Sequence, residues 1–410
     1  MSVQSGLYSG ATFLAAPILR YAMRRKHQKM SAPASRLRER FGHATLPRPD
    51  GTLIWCHAAS MGELRAVLPV IQDLMSRRSD VHFLISTTTQ TGAEMAEKLG
   101  DRVTHQFGPL DLPGIAARFV AHWRPNMAVI VENELLPRLT RHLSAKNIPQ
   151  VTLNLRPSRT RQKLPTLAGE VLNRSEFITA NSASLIDEAP QMGLSKSKYL
   201  GGADLKSSAD PLPIDPVMAA DLARQIGNRP CWLACSVHPE DDEIVLQAHE
   251  KVLQKQPDTL LILVPRHPDR AAQLATMIDV LSLKHMRRSS GQGLAESDQI
   301  LLADTMGETG LFFAQSAVTL LGGSFGQRGG HNPWEPAVLG SYTLYGPDVK
   351  NATEAYEKLR KIGMAQMVQT ADDIASLALM ARKSTQKLDQ VTQAGRALRG
   401  QIVDRILDLI

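Results

Sequence analysis

The sequence predicts an α/β chain built of two Rossmann-like domains facing a cleft. Three observations lead there. Short apolar runs alternate with amphipathic helical segments; polar residues cluster just after each apolar run; and the pattern restarts beyond a Gly-Gly and Ser/Asp/Pro-rich stretch at residues 201–213. Parallel strands buried on both faces read as unbroken apolar runs, and doubly wound sheets bind ligands beyond the carboxyl ends of their strands. A length of 410 residues accommodates two domains, each with its own core. The boundaries read as an N-terminal segment at 1–45, a first domain at 46–205, and a second at 206–410 that includes the C-terminal helices.

The N-terminal segment carries the charge. Residues 1–40 hold eight Lys/Arg and a single acid, Glu39, which accounts for the net charge of +7. Upstream of Arg20 there is no charge, and Leu7, Tyr8, Phe13, Leu14, Ile18 and Leu19 supply apolar bulk. Gly6, Gly10, Ser9, Thr12 and Pro17 make this a poor spanning helix. A secretory signal would place bases before the apolar run, whereas here they follow it. Two readings stand: a segment lying on or dipping into an anionic membrane surface, with about 1 kcal/mol per nearby base, or an ordinary helix packed on the body. Nucleic acid suits the charge, but aromatics at 5% offer no stacking platform. Cys56, Cys231 and Cys235 lie mostly inside apolar runs without metal spacing, as small core residues in a reducing compartment do.

In the first half, Leu53 to Cys56 forms a strand, and His57-Ala-Ala-Ser-Met-Gly-Glu63 leads into a helix through Met75. Ser60 at the cap and Glu63 three residues on make a capping box. Glu63 is therefore either a cap partner or an acid kept ionised by the helix dipole just past a strand end. Met127 to Val131 leads into Glu132-Asn-Glu134, two acids that complement a helix start or clamp a sugar. With no third carboxylate or histidine nearby in sequence, a metal site is rejected. Val151 to Leu153 leads into Asn154-Leu-Arg156, where Arg156 suits a carboxylate or phosphate.

The second half repeats the scheme. Trp232 to Cys235 leads into Ser236-Val-His-Pro-Glu240, and Leu260 to Val264 into Pro265-Arg-His-Pro-Asp-Arg270. Arg266 is placed to grip a phosphate bidentately, while Arg270 reads as a solvated charge. Ile300 to Leu302 leads into Asp304-Thr-Met-Gly-Glu308, where Asp304 alone reads as a helix cap. Ala317 to Leu321 leads into Gly322, Gly323, Ser324, Gly329 and Gly330, then a helix starting at Asn332 with Pro333 and Glu335 behind it. Backbone N–H groups around Gly329, Gly330 and Asn332 would cradle an anion, with a hydroxyl from Ser324. His331 is a phosphate donor or a satisfied loop histidine; His267 stands evenly between a site role and a structural one. Glu335 either accepts ribose hydroxyls or caps its helix.

As a set these motifs resemble the bacterial Kdo transferases, which move 3-deoxy-D-manno-octulosonic acid from CMP-Kdo onto a lipid A precursor. The resemblance runs in register from Arg38-Glu-Arg-Phe-Gly42 through Asn351 and includes Ser158, Leu205-Lys206, and Gly329-Gly-His-Asn-Pro-Trp-Glu-Pro336. It implies a GT-B glycosyltransferase, inverting and metal-independent, with no cofactor beyond its donor substrate, at the cytoplasmic face of an inner membrane. It makes Glu63 the catalytic base. It gives Ser60, Gly62, Glu132, Glu134 and Arg156 to the acceptor. To the donor it gives Lys206, Ser236, His238, Arg266, His267, Asp304, Met306, Gly307, Glu308, Ser324, Gly329, Gly330, His331, Asn332, Glu335 and Asn351. The chain departs from the family pattern at Ser236-Val-His-Pro-Glu-Asp241, Leu136, Pro157 and Ala352. These departures keep open a divergent paralogue with another acidic sugar or acceptor. A catalytically silent sugar-nucleotide binder is the alternative from another class.

Overall fold

A computed structural model describes residues 2–30, 32–132, 135–208, 210–380 and 388–410. The chain divides into two compact units, Met1–Ala209 with Gln393–Ile410, and Asp210–Thr392.

The first unit holds a seven-stranded sheet of β1 (Thr52–His57), β2 (Val81–Thr87), β3 (Val103–Phe107), β4 (Met127–Val131), β5 (Gln150–Leu155), β6 (Ile178–Ala180) and β7 (Tyr199–Gly202). Its order is β3-β2-β1-β4-β5-β6-β7, and every named pairing is parallel. Alternation along β1 shows why the run is continuously apolar. Ile54 and Cys56 enter one core with Val67 and Ile71 of the helix Met61–Arg77, while Leu53 and Trp55 enter the opposite core with Phe119 and Trp123. The strand order reverses between β1 and β4, which opens a crevice at their carboxyl ends.

The second unit repeats the plan with β8 (Cys231–Val237), β9 (Leu260–Pro265), β10 (His285–Arg287), β11 (Ile300–Leu302), β12 (Val318–Leu321), β13 (Tyr342–Tyr345) and β14 (Ala365–Met367). Its order is β10-β11-β9-β8-β12-β13-β14, again parallel, so the switch lies between β8 and β12. Leu233 and Cys235 face one core, Trp232 and Ala234 the other.

The closing helix, Leu388–Leu407, departs from the sequence expectation. Leu398, Ile402, Val403 and Ile406 are buried in the first unit's core beside Val67 and Val70, and Arg399 donates to Asp73 at 2.5 and 2.7 Å. The first unit is therefore finished by residues from the chain's far end.

The N-terminal segment also differs in its parts. Helix Val3–Leu14 turns its polar stripe to the body: Tyr8 donates to Asp111 at 2.9 Å, Ser5 and Thr12 accept from Arg141 and Arg138 at 3.1 Å, and Gln4 accepts from the Leu167 N–H at 2.9 Å. Val3, Leu7 and Leu14, on the opposite stripe, remain 80%, 67% and 79% exposed. This helix is amphipathic in the reverse sense to one packed on an apolar core. The helix Ala16–Lys29 leaves Ile18, Tyr21, Arg20, Arg24, Arg25, Lys26 and Lys29 exposed. Residues Ala34–Phe41, by contrast, belong to the domain. Glu39 and Arg40 are buried; Glu39 accepts from the Phe107 N–H at 2.7 Å, and the Arg40 guanidinium lies 4.2 Å from the Phe107 ring centroid. Among the described residues no helix is long and apolar enough to cross a membrane.

Candidate active site

In the first unit the candidate residues gather at the carboxyl ends of β1, β4, β5 and β7. The helix Met61–Arg77 begins one residue past Ser60, whose hydroxyl accepts from the Glu63 N–H at 3.3 Å. The Glu63 carboxylate accepts from the Ala59 N–H at 2.6 Å and from the Ser60 hydroxyl at 3.3 Å. The capping box thus exists, reaching one residue further back than the usual motif. It also fixes a half-buried carboxylate beside the switch point. Gly62 is exposed in the first turn beside it.

Glu132 follows β4 with φ +58°, and Asn154 near the end of β5 has φ +57° where the β5–β6 register shifts. Such left-handed non-glycine residues cost energy and persist where the surroundings fix them. Here a polar cluster fixes them. Asn154, fully buried, donates to Glu132 at 3.3 Å and accepts from the Leu205 N–H at 3.1 Å. Arg156 lies 3.1 Å from Glu132 and 3.4 Å from Asp204, and the Lys206 ammonium stands 3.9 Å from Glu132. Lys206 therefore sits with the first unit's cluster, although the sequence assigned it to the donor domain. Glu134 lies outside the described residues. Asn154 and Asp204 were not singled out as site residues. An asparagine at a strand end, tolerant of positive φ, was the signal available for the first.

In the second unit the β8 end carries a matching device. Ser236 has φ +58° where the β8–β9 register shifts, and Gly322 packs so close that a Cβ there would lie 2.5 Å from the Ser236 carbonyl oxygen. His238 opens the helix Pro239–Lys255. Asp241, with no exposed surface, accepts from the N–H groups of His238 (2.8 Å), Gly323 (2.7 Å) and Phe325 (3.3 Å). One carboxylate thus ties the β8 loop to the β12 loop.

Above it the imidazoles of His238 and His331 meet Nε2 to Nε2 at 3.0 Å, with ring planes 6° apart. The His267 ring stands edge-on, its centroid 6.1 Å from that of His238. Burial, then His238, Arg266 and His267, push His331 down to about 4, and burial lowers His238 as well. Both rings are neutral near pH 7. Arg266 follows β9; its N–H donates to the Val237 carbonyl at 3.0 Å, and its half-buried guanidinium has no hydrogen bond or ion pair among the described residues. Arg270 is not the solvated charge the sequence suggested: it pairs with the buried Asp242 and donates to the Val237 carbonyl at 3.2 Å.

The glycine loop needs correction in three places. The Gly329 N–H donates to Asp348 at 2.9 Å and the Gly330 N–H to the Gly323 carbonyl at 2.9 Å, so neither points at a ligand. Their φ values of +85° and +72° and the packing of Asn351 and Val349 against them explain the glycines instead. Ser324 is buried, its hydroxyl donating to the Leu321 carbonyl at 2.9 Å and accepting from the Gly346 N–H at 2.8 Å. The helix expected from Asn332 is a single turn, Trp334–Ala337, with Asn332 accepting from the Trp334 N–H at 3.3 Å and donating to Glu335 at 3.4 Å. Asn351 donates to the Arg328 carbonyl at 2.7 Å.

The β11 loop is braced by ion pairs. Arg287 donates to Asp304 at 2.7 and 2.9 Å, and Arg288 to Glu308 at 2.7 Å. Burial works to raise the Asp304 pKa, but bonds from Ser289 and Arg287 outweigh it and hold the carboxyl below its usual range. Met306 is 77% exposed at the tip beside Gly307, whose φ is +87°. Among the described residues no three His, Cys, Asp or Glu side chains converge as a metal site.

Comparison with known proteins fits this layout. Residues 35–209 match a family described as 3-deoxy-D-manno-octulosonic-acid transferase (kdotransferase). The chain is 32% identical to the 3-deoxy-D-manno-octulosonic acid transferase of Haemophilus influenzae, over 92% of this chain and 90% of that one. In fold it is similar to the glycosyltransferase of kitacinnamycin (TM-score 0.53, 12% identity, 88% of this chain and 100% of that one). It is equally similar to the UDP-GlcNAc 2-epimerase of Neisseria meningitidis (TM-score 0.54, 13% identity, 87% and 99%). The two parallel-sheet domains are those of the GT-B fold, and the chain belongs to the 3-deoxy-D-manno-octulosonic acid (Kdo) transferase family.

Proposed function

We propose that this glycosyltransferase moves Kdo from CMP-Kdo onto a lipid A-type acceptor at an anionic membrane surface, by an inverting reaction without metal. The observation that carries the reading is the family's motif residues standing at the carboxyl ends of strands at or next to both switch points, Glu63 after β1, His238 after β8, His331 after β12 and Arg266 after the neighbouring β9. An acceptor hydroxyl gives its proton to Glu63 as its oxygen bonds to the anomeric carbon. The carbon–oxygen bond to the phosphate breaks, and CMP departs with the electron pair. The charge on that phosphate then falls to Arg266, whose guanidinium is not spent on a carboxylate, and to the histidines beside it. Glu132, Arg156 and Lys206 form the acceptor-side cluster.

The outward apolar stripe of Val3–Leu14 and the exposed bases of Ala16–Lys29 support a membrane-surface location. Vesicle flotation tests that part. The chain should bind vesicles containing anionic lipid, and Leu7→Ser with Leu14→Ser should release it; equal flotation of both proteins would remove the membrane from the reading. Glu63→Gln tests the chemistry: transfer should stop while CMP binding stays near normal, and retained turnover would refute the assignment of the base.

A further inference from the structure

We infer that His238 and His331 act as one unit in the donor site, sharing a single proton and taking up a second from solvent when the CMP phosphate occupies it. This rests on the donor-site reading above and adds to it how the leaving group's charge is met. Two Nε2 atoms at 3.0 Å in nearly coplanar rings hold one hydrogen between them, so one ring donates and the other accepts. Each ring then has only its Nδ1 edge left, and that of His238 faces the Asp241 N–H in the capping box of its helix. The fold goes to some length to build this contact. Gly323 lies beneath it with φ +69°, and a Cβ there would stand 3.1 Å from His331 Nε2 and 3.2 Å from His238 Cδ2. Tyr356, from the helix Thr353–Lys361, donates to the His331 carbonyl at 2.9 Å and holds that residue from behind.

The charged groups around the pair decide its proton count. Arg266 and His267 from the β9 loop and Arg328 from the glycine loop disfavour an added proton; Asp241 and Glu240 of the His238 helix favour it. Asp241 spends its oxygens on three backbone N–H groups and Glu240 pairs with Arg328 at 3.1 Å. In the free protein the balance leaves both rings neutral near pH 7. A phosphate set against Arg266 and the pair reverses it, because an opposite charge nearby favours the protonated imidazole. During transfer the phosphate passes from a singly charged diester to a doubly charged monoester. The proton entering the pair from solvent matches that second charge, and leaves with CMP.

Calorimetric titration of CMP into the full chain at pH 7.5, in buffers of different ionisation enthalpy, reads the proton count directly. At that pH CMP is already the dianion, so its own titration adds little. We expect more than about half a proton taken up per CMP bound, lost in His238→Gln and in His331→Gln. No uptake by the native chain, or uptake surviving in His331→Gln, overturns the inference. Should the variants bind too weakly to titrate, the native chain decides: its CMP affinity should tighten by up to about tenfold per pH unit from pH 9 to 7.5, and a flat profile overturns the idea. CMP failing to bind at millimolar concentration would instead remove the donor-site reading underneath.

Discussion

Asp241 offers the sharpest test of how the loops of the second unit are tied together. Its carboxylate has no exposed surface and takes hydrogen bonds from three N–H groups, of His238, Gly323 and Phe325, at 2.7–3.3 Å. Asp241→Ala leaves those donors buried without acceptors. Each unsatisfied group costs about 1–3 kcal/mol, and losses at one centre are not additive, so the second domain should lose about 3–6 kcal/mol. Asp241→Asn keeps one acceptor oxygen but sets an NH2 against donor N–H groups, and should lose roughly half as much. Hydrogen exchange of amides in β8, β9 and β12 measures this domain by itself, which a global unfolding curve of a two-unit chain does not. The alanine variant should lower their protection by two or more orders of magnitude, and the amides of His238, Gly323 and Phe325 should exchange faster still. Protection within a factor of about five of the native value, near 1 kcal/mol, would mean Asp241 is not the tie between the two loops.

Three more expectations follow from particular residues. Gly323→Ala adds a Cβ at φ +69° against both imidazoles; it should cost about 1 kcal/mol or more in stability and weaken CMP binding at least about tenfold, and unchanged binding would show that the histidines do not need the glycine. His249, buried, accepts from the Trp232 indole at 3.2 Å and donates to the Gln299 carbonyl at 3.0 Å, and burial pushes it down to about 4. Its unfolded-state value lies near 6.5, so stability is full above that and falls as the pH drops from about 6.5 towards 4, by about 3 kcal/mol; a urea midpoint flat across that window, or falling equally in His249→Gln, would contradict this. Asp304→Asn should destabilise the β11 loop at pH 7, and the difference should vanish as the pH falls below the depressed Asp304 value, readable by exchange of the Ser289 amide.

Much of this was legible in the sequence because the signals are local. Strands buried on both faces must be apolar throughout, and caps must be short polar side chains. Hence β1, β4, β8, β9 and β12 and the loops after them could be placed by reading. Where a backbone N–H finds its acceptor across the fold is not local. Nothing near Gly329 or Gly330 announces that Asp348 and the Gly323 carbonyl take their N–H groups. Ser324 reads as an available hydroxyl until Gly346 is brought beside it. Asp241 passed as one residue of a departing loop, because two of its three donors lie more than eighty residues away. Arg36 and Arg40 counted as free positive charge, since only the fold reveals Phe107 and Glu39 beside them. The last helix shows the same limit: an amphipathic stripe demands a core but does not say which one.

The central claim is that Glu63 drives transfer of Kdo from a CMP-activated donor. The measurement closest to it is mass spectrometry of the products after purified protein is incubated with CMP-Kdo and a tetraacyl lipid A precursor. The account predicts acceptor heavier by whole Kdo residues, CMP released in equal amount, and neither with Glu63→Gln. An acceptor of unchanged mass with the native chain, or the same gain with the variant, would contradict it.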